Sequence, residues 1–258
     1  MTTFTRTDEL QDAKLVEVSL RRARFTDCDL TGVVMRAVEI GEVDIDAPWL
    51  FEQETYVLIK GIDVVPLVRA ELERRFPGRE LMLTADPACL QSAWAALEGA
   101  WSTTLARAAA MPEGTVEVSV DGEWSFSQTL RHLVLATDLW LSRPVLGVEQ
   151  PFHPLGLAHA NAEQHGLDTS VFTTDQPTYG DVLAARADRV GRMGSFIAGV
   201  TPEELLQQRR NSWNPSHAET TLTCLHTILQ EEWEHLRYAV RDLDLLDQAT
   251  KSQPRSLS

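Results

Sequence analysis

Residues 224–243 read Cys224-Leu-His-Thr-Ile-Leu-Gln-Glu-Glu-Trp-Glu-His-Leu-Arg-Tyr-Ala-Val-Arg-Asp-Leu243, and their reading decides the fold. Leu222, Leu225, Leu229, Leu236, Val240 and Leu243 recur at spacings of three, four and seven, which is one apolar face of a long α-helix. No Gly or Pro interrupts the run. Glu231 and His235 stand one turn apart, so their side chains project side by side. An acidic residue and a His at this spacing are a common way for a helix to offer two ligands to one divalent metal. The same spacing also occurs as a solvated surface pair, so the motif by itself leaves both readings open.

Working outward, three more helices are predicted. Asp86-Pro87 starts one with a capping side chain followed by Pro at the first helical position. Its stripe is Leu90, Trp94, Leu97, Trp101 and Leu105, and Pro112 to Gly114 stops it. Ser125 with Gln128 is a capping box that starts the next. Phe126, Leu130, Leu133 and Trp140 supply its core face, and Pro144 ends it. A loop-like region, 150–175, carries His153, His159 and His165. The third helix, 178–200, has a weaker stripe (Val182, Leu183, Val190, Met193, Ile197). A second loop, 201–217, leads into the helix quoted above. Four such helices, two of them joined by a long loop, suit a four-helix bundle with a crossover.

On a regular helix, His132 falls roughly 120° from the centre of its own apolar stripe, and Glu231 and His235 are displaced by a similar angle. Groups so placed line a groove at the edge of a bundle, or they stand in water. Glu232, three before His235, is an alternative to Glu231. Cys224 shares the Glu231 face, although a lone helical Cys is more often a small buried hydrophobe. His226 is on nearly the opposite face from His235, so the two cannot share a metal. The loop histidines, His217 included, read as solvated, and Trp124, Trp140 and Trp233 as packing residues. Arg241-Asp242 reads as a local pair.

The N-terminal stretch has a different period. Leu20, Phe25, Leu30, Met35, Ile40, Ile45 and Leu50 fall at every fifth residue, with mostly small or β-branched residues two places before each. Period five is neither helix nor strand. It suits a square β-solenoid, and the pattern resembles the pentapeptide-repeat family, best at Cys28-Asp29-Leu30 and Val43-Asp44-Ile45. Under two coils bury little surface alone, so the segment is expected to dock on the rest of the chain. Acidic DNA mimicry would need many more coils. A short helix over 61–75, with Pro66 in its first turn, and a linker over 76–85 follow.

Trp124-Ser-x-x-x-x-Leu-x-His132-Leu, with a second His-bearing motif near the C-terminus, resembles the DinB-like superfamily. Together with the pentad start, the arrangement resembles an actinobacterial group of such proteins. The resemblance implies a mainly α, up-down-down-up four-helix bundle over 86–247, after a pentapeptide-repeat-like β appendage and short helix over 1–75. A disordered tail over 248–258 is expected. It also implies one divalent metal (zinc, nickel or manganese) on His132, Glu231 and His235. Position 231 departs from the family's usual His, although His₂Glu is an established zinc ligand set, and carboxylate favours harder metals. What the resemblance implies for activity is a thiol S-transferase or hydrolase. Its substrate would be a small-molecule thiol such as mycothiol, or an electrophile, taken between loops 150–175 and 201–217. A homodimer is implied as well. The competing reading is a non-catalytic, metal-free bundle acting as a binding or assembly module.

Composition bounds the rest. The chain has 258 residues, 43% apolar and 24% charged, which is ordinary for a globular protein. A net charge of −15 argues against nucleic acid or an anionic membrane as partner. No apolar run approaches the ~20 residues that span a bilayer. The start lacks the pattern of a signal peptide. Three scattered cysteines suggest no disulfide framework. A cytoplasmic protein is expected. No Gly-x-Gly-x-x-Gly, phosphate-binding loop, Gly-x-Ser-x-Gly or His-Glu-x-x-His is present.

Overall fold

The computed structural model describes residues 3–5, 7, 8, 10–51, 54–159, 162–173, 175–214 and 216–252. The chain divides into two compact units, 1–46 and 47–258. The division falls at 46/47 rather than at the expected linker, so residues 47–85 belong with the helices.

In the first unit the period of five is written into the backbone. Asp12, Glu17, Arg22, Asp27, Gly32, Ala37 and Glu42 all have positive φ, a conformation that residues other than Gly adopt at a cost. Turns close between them, from the amides of Ala13, Ala23 and Val33 to the carbonyls of Leu10, Leu20 and Leu30. Among the described residues of this unit there is no strand, so the expected β-solenoid is not found. The physical reason is length, because a coil forms ladders only with coils above and below it, and this segment has fewer than two. Its large apolar side chains, from Leu10 through Ile45, are 48–65% exposed at the every-fifth positions.

The second unit opens with a two-residue hairpin, β1 (Leu58–Ile59) and β2 (Ile62–Asp63), paired antiparallel. It runs into α1 (Val65–Arg75), with Pro in the first turn. The expected linker carries a 3₁₀ turn, Arg79–Leu83, whose Arg79 and Met82 are buried. Gly78 precedes it with φ +94°, and a Cβ there would meet the Ala96 Cβ at 2.9 Å, so both conformation and space require Gly.

The bundle is made of α2 (Pro87–Ala109), α3 (Phe126–Thr137), α4 (Tyr179–Gly199) and, after α5 (Pro202–Leu205), β3 (Gln208–Arg210) and β4 (Ala218–Thr220), the long α6 (Thr221–Ser252). The second expected loop therefore holds a short helix and the first strand of an antiparallel hairpin. The α6 helix runs past the expected boundary to Ser252, and residues 253–258 of the expected tail lie outside the described residues. Both helix starts read from sequence are formed. Asp86 accepts from the Ala88 amide, and Ser125 and Gln128 make the reciprocal capping box. Each bundle helix packs on two others, α2 and α3 both touching α4 and α6. Leu90, Leu97, Leu130, Leu133, Met193, Leu225 and Leu229 fill the centre and are fully buried. Each such side chain contributes roughly 1.5–3 kcal/mol.

Regular helix does not extend to Pro144. After Thr137 the chain takes one π-helical turn, Asp138–Ser142, closed by the Arg143 amide on the Asp138 carbonyl. That turn moves the register by one residue and carries Asp138 and Ser142 inside. No helix among the described residues is long and apolar enough to cross a membrane.

Candidate metal centre

Helices α3 and α6 bring His132, Glu231 and His235 together, with one potential ligand atom from each all within 4.8 Å of one another. The His132 and His235 side chains are nearly buried, and Glu231 is one-third exposed. These are the three residues the sequence reading selected.

The hydrogen bonds of the two imidazoles define what the cluster can do. A backbone carbonyl can only accept, so His132 Nδ1–H donates to Leu157 O at 3.0 Å and His235 Nδ1–H donates to Glu231 O at 2.8 Å. Both rings therefore carry the proton on Nδ1 when neutral, and both Nε2 atoms keep a lone pair. Glu231 Oε2 lies 3.4 Å from His132 Nε2, so two acceptors face each other. A proton or a cation between them is needed to make that approach favourable. Burial, together with the neighbouring His132, pushes the His235 imidazole down to about 4, so its ring is neutral near pH 7. Burial alone would raise the Glu231 carboxyl. A protonated His132, which then also donates from Nε2, and the charges that His132, His235 and His159 carry when protonated outweigh it and hold Glu231 low. Two imidazoles, each fixed by a backbone carbonyl, and one carboxylate fit the ligand set of a divalent ion.

The surroundings include residues that sequence reasoning had set aside. Trp124, read as a packing residue, covers the site, with its ring 4.6 Å from His132 and 6.2 Å from His235. The two imidazoles stack at 4.7 Å. The signal for Trp124 was its place at the head of the motif that ends at His132. His159 is half-buried with its ring 5.4 Å from Trp213, so it is not a fully solvated loop residue. Tyr238 meets His235 edge-on at 5.8 Å.

The loop after α3 is fastened at both ends. Arg131 Nε donates to Leu155 O and Leu157 N to Arg131 O, which brings the Leu157 carbonyl to His132. Further back, buried Asp138 accepts from Arg189 Nε and Nη2 (3.1 and 2.9 Å), from Ser142 Oγ and from the His153 amide. Arg189 also donates to Pro151 O. No sequence signal marked this network, because the π turn that buries Asp138 has none.

The other candidates are placed elsewhere. Glu232, the alternative ligand, is buried on another face and bonds Arg186. His226 Nε2–H donates to Thr84 O at 2.8 Å, away from the site. Cys224 is buried and outside the cluster, and burial pushes its thiol up to about 12. His217 is exposed. Arg241 pairs with Asp242 at 2.7 Å, as expected, and also with Glu123 at 2.5 Å. Trp233 packs in the core against Phe76.

Fold and site thus define a helical-bundle protein with a His/carboxylate cluster between two bundle helices. The sequence profile of the DinB superfamily matches residues 96–239, more than half of the chain and all three cluster residues, and the chain belongs to that superfamily. No curated protein and no solved structure matches the chain.

Proposed function

We propose that the chain is a metal-dependent enzyme of the DinB type, a thiol S-transferase or hydrolase, holding one divalent ion (zinc, nickel or manganese) on His132, Glu231 and His235. The observation that carries this reading is the convergence of one ligand atom from each of the three residues within 4.8 Å, with His132 Nδ1–H committed to Leu157 O so that its Nε2 lone pair faces the Glu231 carboxylate. When bound, such an ion supplies Lewis acidity that makes a thiol or water nucleophilic at neutral pH. The Trp124 ring lies against both imidazoles. A small-molecule thiol or electrophile would enter between the loops 150–175 and 201–217, which His159 and Trp213 bring into contact. Leu157 O fixes the His132 tautomer. The negative net charge supports a small molecule rather than nucleic acid or membrane as partner.

Elemental analysis of untagged, chelator-free protein beside His132→Ala and His235→Ala tests the reading. About one ion per wild-type chain, lost in both variants, supports it. No ion in wild type after reconstitution refutes it. A second reading, a non-catalytic binding or assembly module, draws on the first unit, whose regularly spaced apolar side chains are exposed.

A further inference from the structure

We propose that the buried Arg186–Glu232 ion pair is a positioning device that holds Glu231 and His235 in register with His132. Its consequence for metal affinity rests on the reading above, but its geometric consequence does not. Along α6 the run Glu231-Glu232-Trp233-Glu234-His235 turns about 100° per residue, so its side chains leave the helix in different directions. Glu231 and His235 face α3. Glu232 faces α4, where both its carboxylate oxygens meet Arg186 Nη2, at 2.6 and 2.5 Å. Glu234 takes a third direction, to Arg79 at 2.9 Å. Between the two ligand-bearing positions of α6, Glu232 thus ties this turn of the helix to α4.

Stability does not account for the pair. Its side chains are 6% and 1% exposed, and a buried pair generally stabilises no more than apolar residues of the same shape. Arg186 Nη1 is moreover left without a hydrogen-bond partner in the interior, which costs free energy. What the pair has that apolar residues lack is direction. A rotation of α6 by roughly 20° carries a side-chain tip, some 6 Å from the axis, about 2 Å sideways. That breaks the contacts of Glu232 and takes Glu231 and His235 out of reach of His132, where a site needs placement to about 0.5 Å. Arg186 also stacks over the Trp101 ring, 5.8 Å away, which fixes the guanidinium from α2. The pair therefore refers α6 to two helices that supply no ligand.

The test uses Arg186→Met/Glu232→Met, which keeps the volume and removes the direction. Two readouts are taken on the full chain. In metal-free protein, proton NMR reports the ring-current shifts that Trp124 and the mutual stacking impose on the His132 and His235 Cε1–H resonances. Cobalt(II) titration reports affinity. The expected result is a folded variant with a thermal midpoint equal to or above wild type. Its imidazole shifts move toward unstructured values, and its cobalt affinity falls at least about tenfold. A folded variant with unchanged imidazole shifts overturns the proposal. Should the double variant not fold, Arg186→Lys decides, because it keeps the charge and loses the planar fork. Altered shifts in folded Arg186→Lys support the positioning role, and wild-type shifts refute it. Failure of wild type to bind cobalt would refute the metal reading alone, since the metal-free shifts are measured independently.

Discussion

Replacing Asp138 with Ala would unfasten the site from behind, and the cost can be worked from its contacts. The Asp138 carboxylate is fully buried and accepts four hydrogen bonds, two from Arg189, one from Ser142 and one from the His153 amide. Arg189 is itself only 5% exposed, so the substitution leaves a buried guanidinium whose remaining partners are Asp188 and the Pro151 carbonyl. Removing one member of such a pair costs about 3–5 kcal/mol. For a unit of this size that lowers the thermal midpoint by roughly 6–20 °C. Urea titrations at pH 7.5 measure the free energy, and the double variant Asp138→Leu/Arg189→Met separates its origins. The double variant is expected to recover most of the stability, because no charge is left unpaired. It still lacks the anchor at His153, so the Leu157 amide should exchange with solvent faster in both variants. A loss below about 1 kcal/mol in Asp138→Ala, against the 3–5 kcal/mol expected of a broken buried pair, would refute the reasoning.

Acid should destabilise the metal-free protein through His235. Its folded value is pushed down to about 4 from an ordinary 6.5, so below pH 6.5 the unfolded chain binds a proton that the native chain does not. Stability present above pH 6.5 is lost as pH falls toward 4, about 2 kcal/mol of it between pH 7 and 5. Urea midpoints of chelator-treated wild type and His235→Leu over that range measure the difference, and equal slopes would contradict it. Ser125→Ala removes half of the capping box of α3 and should cost about 1 kcal/mol by denaturant titration. Cys224, buried with its thiol pushed up to about 12, should resist alkylation at pH 8 in native protein while exposed Cys28 reacts, as mass mapping would show.

Most of the bundle was legible in the chain because its cause is local and periodic. The stripes through Leu90 to Trp101 and Leu225 to Leu243 repeat at the helical period, and Asp86 and Ser125 cap the helices that follow them. The three cluster residues were reachable for a related reason. Glu231 and His235 share a face by spacing alone, and His132 follows from a short motif in a superfamily to which the chain proves to belong. The five-residue period was also legible, and it is kept in the backbone. Its consequence was misjudged, because a repeat encodes a turn and not the neighbouring coils that would make strands of it.

What the sequence by itself determined, then, is where helices start, which faces they bury and which residues could bind a metal. Tertiary structure alone decided which acidic residue of Glu231 and Glu232 faces His132 and which faces Arg186. It also decided that Leu157 O sets the His132 tautomer and that Trp124 covers both imidazoles. Each of these depends on contacts between residues far apart in sequence, or on the π turn at Asp138, whose register shift no local pattern announces. Helical period is a property of neighbours along the chain, whereas the direction of a buried carboxylate is fixed by the helix packed against it.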